Sequence, residues 1–306
     1  MRPVAASGRD ALAELAEILY PDEAAEPILA RPVRGALMEW LTELWAEKEL
    51  REVDLEPRRR ALFHGPPGTG KTTLAHHLAA RLGLPLVVAR ADQVVDKYLG
   101  ATSQNIARLF DALRSQDEPM VLFLDEFDSL GMKRTQAAQG ADTERNHSVN
   151  TILQRIEAHQ GLLIAATNRA DDLDQAIWRR FEIQIEIALP GPAERRRILA
   201  RYLAPYEIAD VALSLLADSF NGSSPALMRQ WCEGLKRQLV IGPKAGWNME
   251  RERVIERLLA ANAPHPDLPR PRLWDRGPAD PAIREMAWPP VRADASRATT
   301  PERTAA

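Results

Sequence analysis

The sequence predicts an α/β fold: a five-stranded parallel sheet flanked by helices, followed by a small all-helical unit. Between Arg60 and Pro190, short apolar runs alternate with amphipathic segments of helix length, the rhythm of a parallel sheet covered on both faces. Pro190-Gly191-Pro192 stops that rhythm, and only helical periodicity follows it. A glycine-rich turn joins the first strand to the first helix of the sheet region.

Taken in order, residues Asp10 to Tyr20 carry Leu12, Leu15, Ile18 and Leu19 at helical spacing, and Ser7 with Asp10 resembles a capping box. A short helix is expected there, packed on its own domain or docking a partner. Pro21 to Pro32 reads as an extended approach, and an amphipathic helix follows from Val33 to about Leu50, with Leu37, Trp40, Leu41 and Leu44 on one side. The sheet region is then strand 61–64, helix 71–82, strand 85–90, helix 103–115, strand 120–125, helix 143–158, strand 162–167, helix 174–180 and strand 183–188. Helices at about 193–203, 209–219, 225–240 and 250–262 form a unit too small to stand alone, which suits a lid. Beyond Asn262 eight prolines from Pro264 to Pro290 argue for a polar tail or partner-wrapping arm, in which Trp274 and Trp288 are the candidate anchors. The expected division is residues 1–32, an N-terminal helix and approach; 33–190, the α/β domain; 191–263, the helical lid; and 264–306, the Pro-rich tail.

The turn after the first strand reads Gly65-Pro66-Pro67-Gly68-Thr69-Gly70-Lys71-Thr72, with Thr73 next, and matches G-x-x-x-x-G-K-[ST]. In that pattern backbone N–H groups turn inward around a polyphosphate, the lysine reaches the β/γ oxygens, and the hydroxyl of Thr72 suits Mg²⁺. A second element, Val121-Leu122-Phe123-Leu124-Asp125-Glu126, is an apolar strand that delivers two carboxylates to the same sheet edge. Asp125 suits the metal, Glu126 suits orienting and deprotonating an attacking water, and Asp128 suits support of the strand edge. ATP and Mg²⁺ are the ligands this pair of elements predicts.

Bulk properties narrow the partners. With 306 residues, 45% hydrophobic, the chain can bury a sizeable core, and a net charge of −3 gives no global reason to seek nucleic acid. The single cysteine, Cys232, excludes an intrachain disulfide and reads as core filler suited to a reducing cytoplasm. No apolar run nears the roughly 18 residues of a membrane span, so no membrane role and a cytoplasmic location are expected. His76 and His77 face different ways on one helix, and neither an H-E-x-x-H motif nor an assignable Ser-His-Asp group is present.

From Pro27 to Asn262 the chain resembles the AAA+ ATPases, in particular the clade that threads or remodels proteins and its small bacterial single-ring members. Five separated motifs occur in the family's order. Besides the two above, Ile164-Ala165-Ala166-Thr167-Asn168 is similar to the sensor-1 strand, and Leu173-Asp174-Gln175-Ala176-Ile177-Trp178-Arg179-Arg180-Phe181 is similar to the arginine-finger segment. Lys97-Tyr98-Leu99-Gly100 resembles the aromatic pore loop. The resemblance implies a P-loop NTPase sheet, with Asn168 positioning water and γ-phosphate and Arg179 and Arg180 acting on a neighbouring subunit's nucleotide. It also implies a homo-oligomeric ring, most often a hexamer, with Tyr98 and Leu99 gripping a protein substrate. Residues Gly131 to Asn146 resemble a second pore loop, with a solvated connection as the alternative.

The chain departs from the family twice. The second arginine that some relatives place three residues on is Ile183 here, and Phe220-Asn221-Gly222-Ser223-Ser224 lacks the acid of the lid signature, leaving the second sensor unassigned. An aromatic and an aliphatic side chain on a loop can grip any peptide by packing, which favours protein as cargo. Two alternatives stay open: a nucleic-acid-acting loader or helicase component, and an ATP-gated regulator or scaffold of a separate effector enzyme such as a protease.

Overall fold

The computed structural model describes residues 12–90, 101–131 and 151–293, and side chains within these except at 101–103 and 130–131. The chain divides into two compact units: one takes in the residues up to Pro27 and Arg31–Ile187, the other Ile28–Ala30 and the residues from Ala188 onward.

The first unit is a mostly parallel sheet between helices. Its strands are β1 (Glu17–Leu19), β2 (Arg60–His64), β3 (Leu86–Arg90), β4 (Val121–Asp125), β5 (Leu163–Thr167) and β6 (Ile183–Glu186). They run in the order β1-β3-β4-β5-β2-β6, and every neighbouring pair except β1–β3 is parallel. Helices α1 (Arg31–Trp45), α2 (Glu47–Arg51), α3 (Lys71–Arg81), α4 (Ala101–Arg114) and α5 (Asp128–Gly131) accompany it, with α6 over residues 151–158 and α7 over Gln175–Trp178.

Alternation along the strands explains why they read as unbroken apolar runs. Leu62, Val87, Ala89, Leu122, Leu124, Leu163 and Ala165 join one core cluster with Ile106, Leu109 and Phe110 of α4 and Ile152 and Ile156 of α6. The residues between them, Ala61, Phe63, Val121, Phe123, Ile164 and Ala166, are buried as well. Both faces are covered, so each position along a strand must be apolar.

The N-terminal helix expected over Asp10–Tyr20 is corrected within the described residues. Leu12 opens a short turn, and Glu17–Leu19 pairs antiparallel with β3, adding a sixth strand to the five expected. Leu12, Leu15, Ala16 and Ile18 all reach the core cluster, a set of contacts that a turn followed by a strand supplies as well as a helix does. Pairing also covers the ladder edge that β3 would otherwise expose. His76 of α3 fixes the exit of β1, its Nε2 lying 2.8 Å from Tyr20 O.

The second unit contains α8 (Pro192–Leu203), β7 (Tyr206–Glu207), α9 (Asp210–Ser219), α10 (Pro225–Ile241), α11 (Arg251–Ala261), α12 (Arg272–Arg276), α13 (Pro281–Glu285) and β8 (Val291–Arg292). Its core centres on Trp231, Phe220, Met228 and Cys232, all at 0% exposure. Burial pushes the Cys232 thiol well above its usual range, so it packs as an apolar group.

A free tail from Pro264 is not what residues 264–293 form. Leu273, Trp274, Ala282, Ile283 and Met286 belong to this unit's core, and β8 pairs antiparallel with β7. Pro271, Pro278 and Pro281 stand at helix starts rather than breaking the chain: Pro281 opens α13 behind Asp280, whose carboxylate accepts from Ala282 N at 2.9 Å. Asp280 is fully buried. It also accepts from Arg272 Nε at 3.0 Å and from Ser219 Oγ at 2.7 Å, and Arg272 Nη2 donates to the same Ser219 Oγ at 2.7 Å.

Asp280→Ala removes a helix cap and a charged hydrogen-bond acceptor together, an expected loss of about 2–3 kcal/mol. Urea unfolding followed by tryptophan fluorescence reads it; an unchanged midpoint would show that the C-terminal segment packs independently of this carboxylate.

Candidate functional site

The phosphate-type turn hangs between β2 and α3, and its shape depends on glycine. Gly65 has φ 140°, and a Cβ there would lie 2.3 Å from Ile187 O, so no side chain fits where this loop passes the strand next to it. Gly70 has φ 93° at the residue before α3, a left-handed turn that lets the helix begin at Lys71. The first-turn N–H groups of an eleven-residue helix therefore open onto the loop, with the positive end of its dipole.

Lys71 is 7% exposed. Its Nζ donates to Gly65 O at 2.8 Å and to Pro66 O at 2.9 Å, curling back along the loop. Burial pulls its pKa down to about 8 against the opposing pull of Asp125 and Asp128. Thr69 Oγ1 donates to Pro66 O at 3.0 Å and braces the turn. Pro66, Pro67 and Thr72 are half-buried; Gly68 and Thr73 are exposed.

Thr72 Oγ1 donates to Asp125 Oδ2 at 3.0 Å. That contact unites the two sequence elements. Asp125 Oδ1 accepts from Glu126 N at 2.9 Å, and Glu126 sits at φ 52°, a left-handed conformation uncommon outside glycine. The turn leaves the Glu126 side chain exposed while Phe127, tied to Ala166 O through its own N–H at 2.8 Å, is fully buried. Asn168 follows β5 and is exposed at its C-terminal end. Thr167 beneath it donates to Asp128 Oδ1 at 2.9 Å, which gives Asp128 the supporting role expected of it.

A hydroxyl and a carboxylate oxygen side by side are hard donors of the kind Mg²⁺ takes. Among the described residues no three His, Cys, Asp or Glu side chains converge as a metal cage. The pair fits an ion that keeps most of its ligands from phosphate and water, and Thr72 and Asp125 would be the residues to hold it.

In the finger-like segment, Asp174 caps α7 by accepting from Ala176 N. Arg179 is exposed, and Arg180 forms an ion pair with Glu157 of α6. Tyr98 and Leu99, and most of the segment from Gly131 to Asn146, lie outside the described residues. In the second unit Ser224 caps α10 and Ser223 is buried with Oγ unpartnered among the described residues. Arg195 is buried, donating to Ala217 O and Pro190 O. Sequence reasoning missed the rings that flank the site, His64 against Trp178 and Phe127 against Phe181. Their partners are set by which strands are neighbours, which no local pattern carries.

The family described as "ATPase family associated with various cellular activities (AAA)" matches residues 61–189, the span from β2 to just beyond β6. These residues are an AAA domain. The chain is 42% identical over 194 residues to an uncharacterized AAA family ATPase, y4kL, of Sinorhizobium fredii, covering 62% of this chain and 57% of that protein. It is 34% identical over 207 residues to the 26S proteasome subunit RPT4 of Saccharomyces cerevisiae, covering 62% of this chain and 47% of that one. The chain thus spans about half the length of these curated relatives. In fold it is similar to the FIGL-1 AAA domain, with TM-score 0.67 at 22% identity over 87% of this chain and 92% of that one. The crystal structure of that domain in complex with ADP matches at TM-score 0.61 and 25% identity, over 78% of this chain and 81% of that one. An AAA domain with its loop and acidic strand joined by Thr72 and Asp125 has the parts for nucleotide binding in place.

Above about pH 8 an increasing share of Lys71 is neutral, and bound phosphate favours its charged form. Nucleotide binding at about pH 8.5 is therefore expected to take up protons. Calorimetry in buffers of different ionisation enthalpy measures this, and Lys71→Arg, permanently charged, should abolish the uptake.

Proposed function

We propose that this chain is one subunit of an ATP-hydrolysing ring, most readily a hexamer, that remodels or unfolds proteins. The hydrogen bond from Thr72 to Asp125 is the observation that carries the reading, because it closes the phosphate loop onto the acidic strand end. On this reading the β- and γ-phosphates enter over the N-terminus of α3 and draw Lys71 from the carbonyls of Gly65 and Pro66. Thr72 and Asp125 would hold a Mg²⁺ ion, which would supply positive charge to the phosphate oxygens. Glu126, turned outward by its left-handed backbone, accepts the proton of the attacking water, and Asn168 orients that water.

Arg179 and Arg180 complete the site of a neighbouring subunit, so a lone subunit is slow. Protein as cargo is supported by the similarity to a subunit named for the 26S proteasome and by Tyr98 and Leu99 as an apolar grip. No nucleophilic triad is assignable in this sequence, so any proteolysis would fall to a separate effector chain. Among the described residues no helix is long and apolar enough to cross a membrane. A cytoplasmic location is the corresponding proposal, consistent with the single buried thiol.

Glu126→Gln is expected to bind ATP and assemble while hydrolysing at least ~100-fold more slowly. Near-normal turnover by the purified variant removes Glu126 from the role of base. Mixing Arg180→Ala with Glu126→Gln subunits should restore hydrolysis at mixed interfaces; a specific activity independent of protein concentration, down to monomer, would contradict action in trans. Tyr98→Ala should keep basal ATPase and lose protein-stimulated turnover, with Tyr98→Phe tolerated. Stimulation by DNA instead of protein, lost on charge reversal at Lys133 and Arg134, would select the nucleic-acid reading.

A further inference from the structure

The two arginines sit between ring contacts that lead back to the chain's own phosphate site. On one side Trp178 meets His64, ring centroids 5.4 Å apart with planes inclined at 56°. His64 is the residue immediately before Gly65. On the other side Phe181 meets Phe127 edge-on, at 5.7 Å and 87°. Phe127 immediately follows Glu126. Gln184 of β6 donates through Nε2 to Phe181 O, tying the same segment to the strand that pairs with β2.

The two contacts differ in firmness. Phe127 and Phe181 are 0% and 2% exposed and form part of the core, so that end of the segment is an anchor. His64 and Trp178 are only half-buried, with Trp178 against the rim of the core, so their contact is less enclosed than that of Phe127 with Phe181. The phosphate loop has a direction in which it cannot give: Gly65 already lies against Ile187, whose carbonyl occupies the space a Cβ would need. A phosphate that draws Lys71 from Gly65 O and Pro66 O thus acts on backbone directly joined to His64. Burial lowers the His64 pKa, Glu186 and Asp171 oppose it and the Lys71 charge adds to it, which favours an uncharged ring that meets the indole by packing.

We propose that His64 and Trp178 are positioning residues that relay the state of a subunit's own phosphate loop to the arginines it presents to its neighbour. The inference rests on the reading that Arg179 and Arg180 act in trans on an ATP site. Phe181 on Phe127 is the pivot, and Trp178 on His64 is the moving contact. The rings carry no charge to the phosphate and touch no reacting atom; they set where the arginines stand.

The test uses the full chain assembled with ATP and Mg²⁺. Trp178→Ala and His64→Ala should each lower kcat about tenfold or more, while ADP affinity stays within about twofold of wild type. Trp178→Phe and His64→Phe, which keep a ring at each position, should restore turnover. Mixing Trp178→Ala with Glu126→Gln subunits should recover hydrolysis as well, since the latter present arginines with an intact relay. Thermal melting checks folding, and the His64→Ala and His64→Phe pair carries the test if Trp178→Ala does not fold. Wild-type kcat in both alanine variants overturns the proposal, as does a loss of ADP affinity in proportion to kcat. So does a deficit that mixing leaves untouched while the same mixing rescues Arg180→Ala. If Arg180→Ala is not rescued either, action in trans fails and the relay falls with it.

Discussion

The hydrogen bond between Thr72 and Asp125 joins residues that the sheet itself holds apart. The order β3-β4-β5-β2 puts β5 between the strand that leads into the phosphate loop and the strand that ends in Asp125. Asp125 is therefore not beside the loop in the sheet. It is reached because α3 leans back across the sheet, packing on β3, β4 and β5, and carries Thr72 over the end of β4. The intervening strand serves the same edge: β5 ends at Thr167 and hands on to Asn168, between the two elements to which the proposed function assigns phosphate and metal. Parallel strands make this economical, since every strand presents its C-terminal end on one side and the helices return the chain underneath. The burial of Lys71 belongs to the same geometry. A cation held between loop carbonyls and two nearby carboxylates is costly to desolvate, and a polyanion is what that charge suits best.

Much of this architecture was legible because its constraints are local. Strands buried on both faces must be apolar at consecutive positions, and β2 to β6 fall within a residue or two of where apolar runs place them. The loop was legible because left-handed φ at Gly65, Gly68 and Gly70 requires a residue type, and because Lys71 and Thr72 sit at a fixed step into a helix. Elsewhere the constraint was not local. Leu12, Leu15 and Ile18 satisfy helical spacing and also the burial needs of a turn followed by an edge strand, and only the vacant edge of β3 decides between them. The expected helix from Val33 to Leu50 is broken at Ala46, where the backbone leaves helical geometry, and Leu44 is only half-buried.

The C-terminal segment shows how composition can mislead. Eight prolines in some thirty residues resemble a disordered linker if prolines are counted, but their positions tell otherwise. Asp280-Pro281 is a helix start with its cap, and Pro271 precedes a five-residue helix that buries Leu273 and Trp274. Each such helix is too short to persist alone. They stand because apolar faces are buried in the second unit and because Asp280, wholly enclosed, finds Arg272, Ser219 and the Ala282 amide. An enclosed carboxylate with all three partners admits few other arrangements of the segment, since any slip leaves a buried charge unpaired. Trp274 and Trp288 do anchor something: their indole N–H groups donate to Asn262 O and Met249 O of the same chain.

The arginine-bearing segment solves a related problem in reverse. Of its two charged side chains Arg179 is exposed and Arg180 half-buried, yet α7 is four residues long and has no helical stability of its own. Order is imposed from the flanks. Ile177 at 0% and Phe181 at 2% exposure pin the segment at both ends, Asp174 caps the helix, and Gln184 holds the Phe181 carbonyl. Between the pins the two arginines are not equivalent. Arg180 is engaged by Glu157 within its own subunit, whereas Arg179 is exposed with no partner among the described residues. In the proposed role in trans, Arg180 would have to exchange the Glu157 carboxylate for a phosphate. An unpaired guanidinium needs only a neighbour within reach. Packing at positions 177, 178 and 181 thus fixes the backbone that carries the charge at 180, although none of those three side chains is polar enough to have marked itself as a site residue in the sequence.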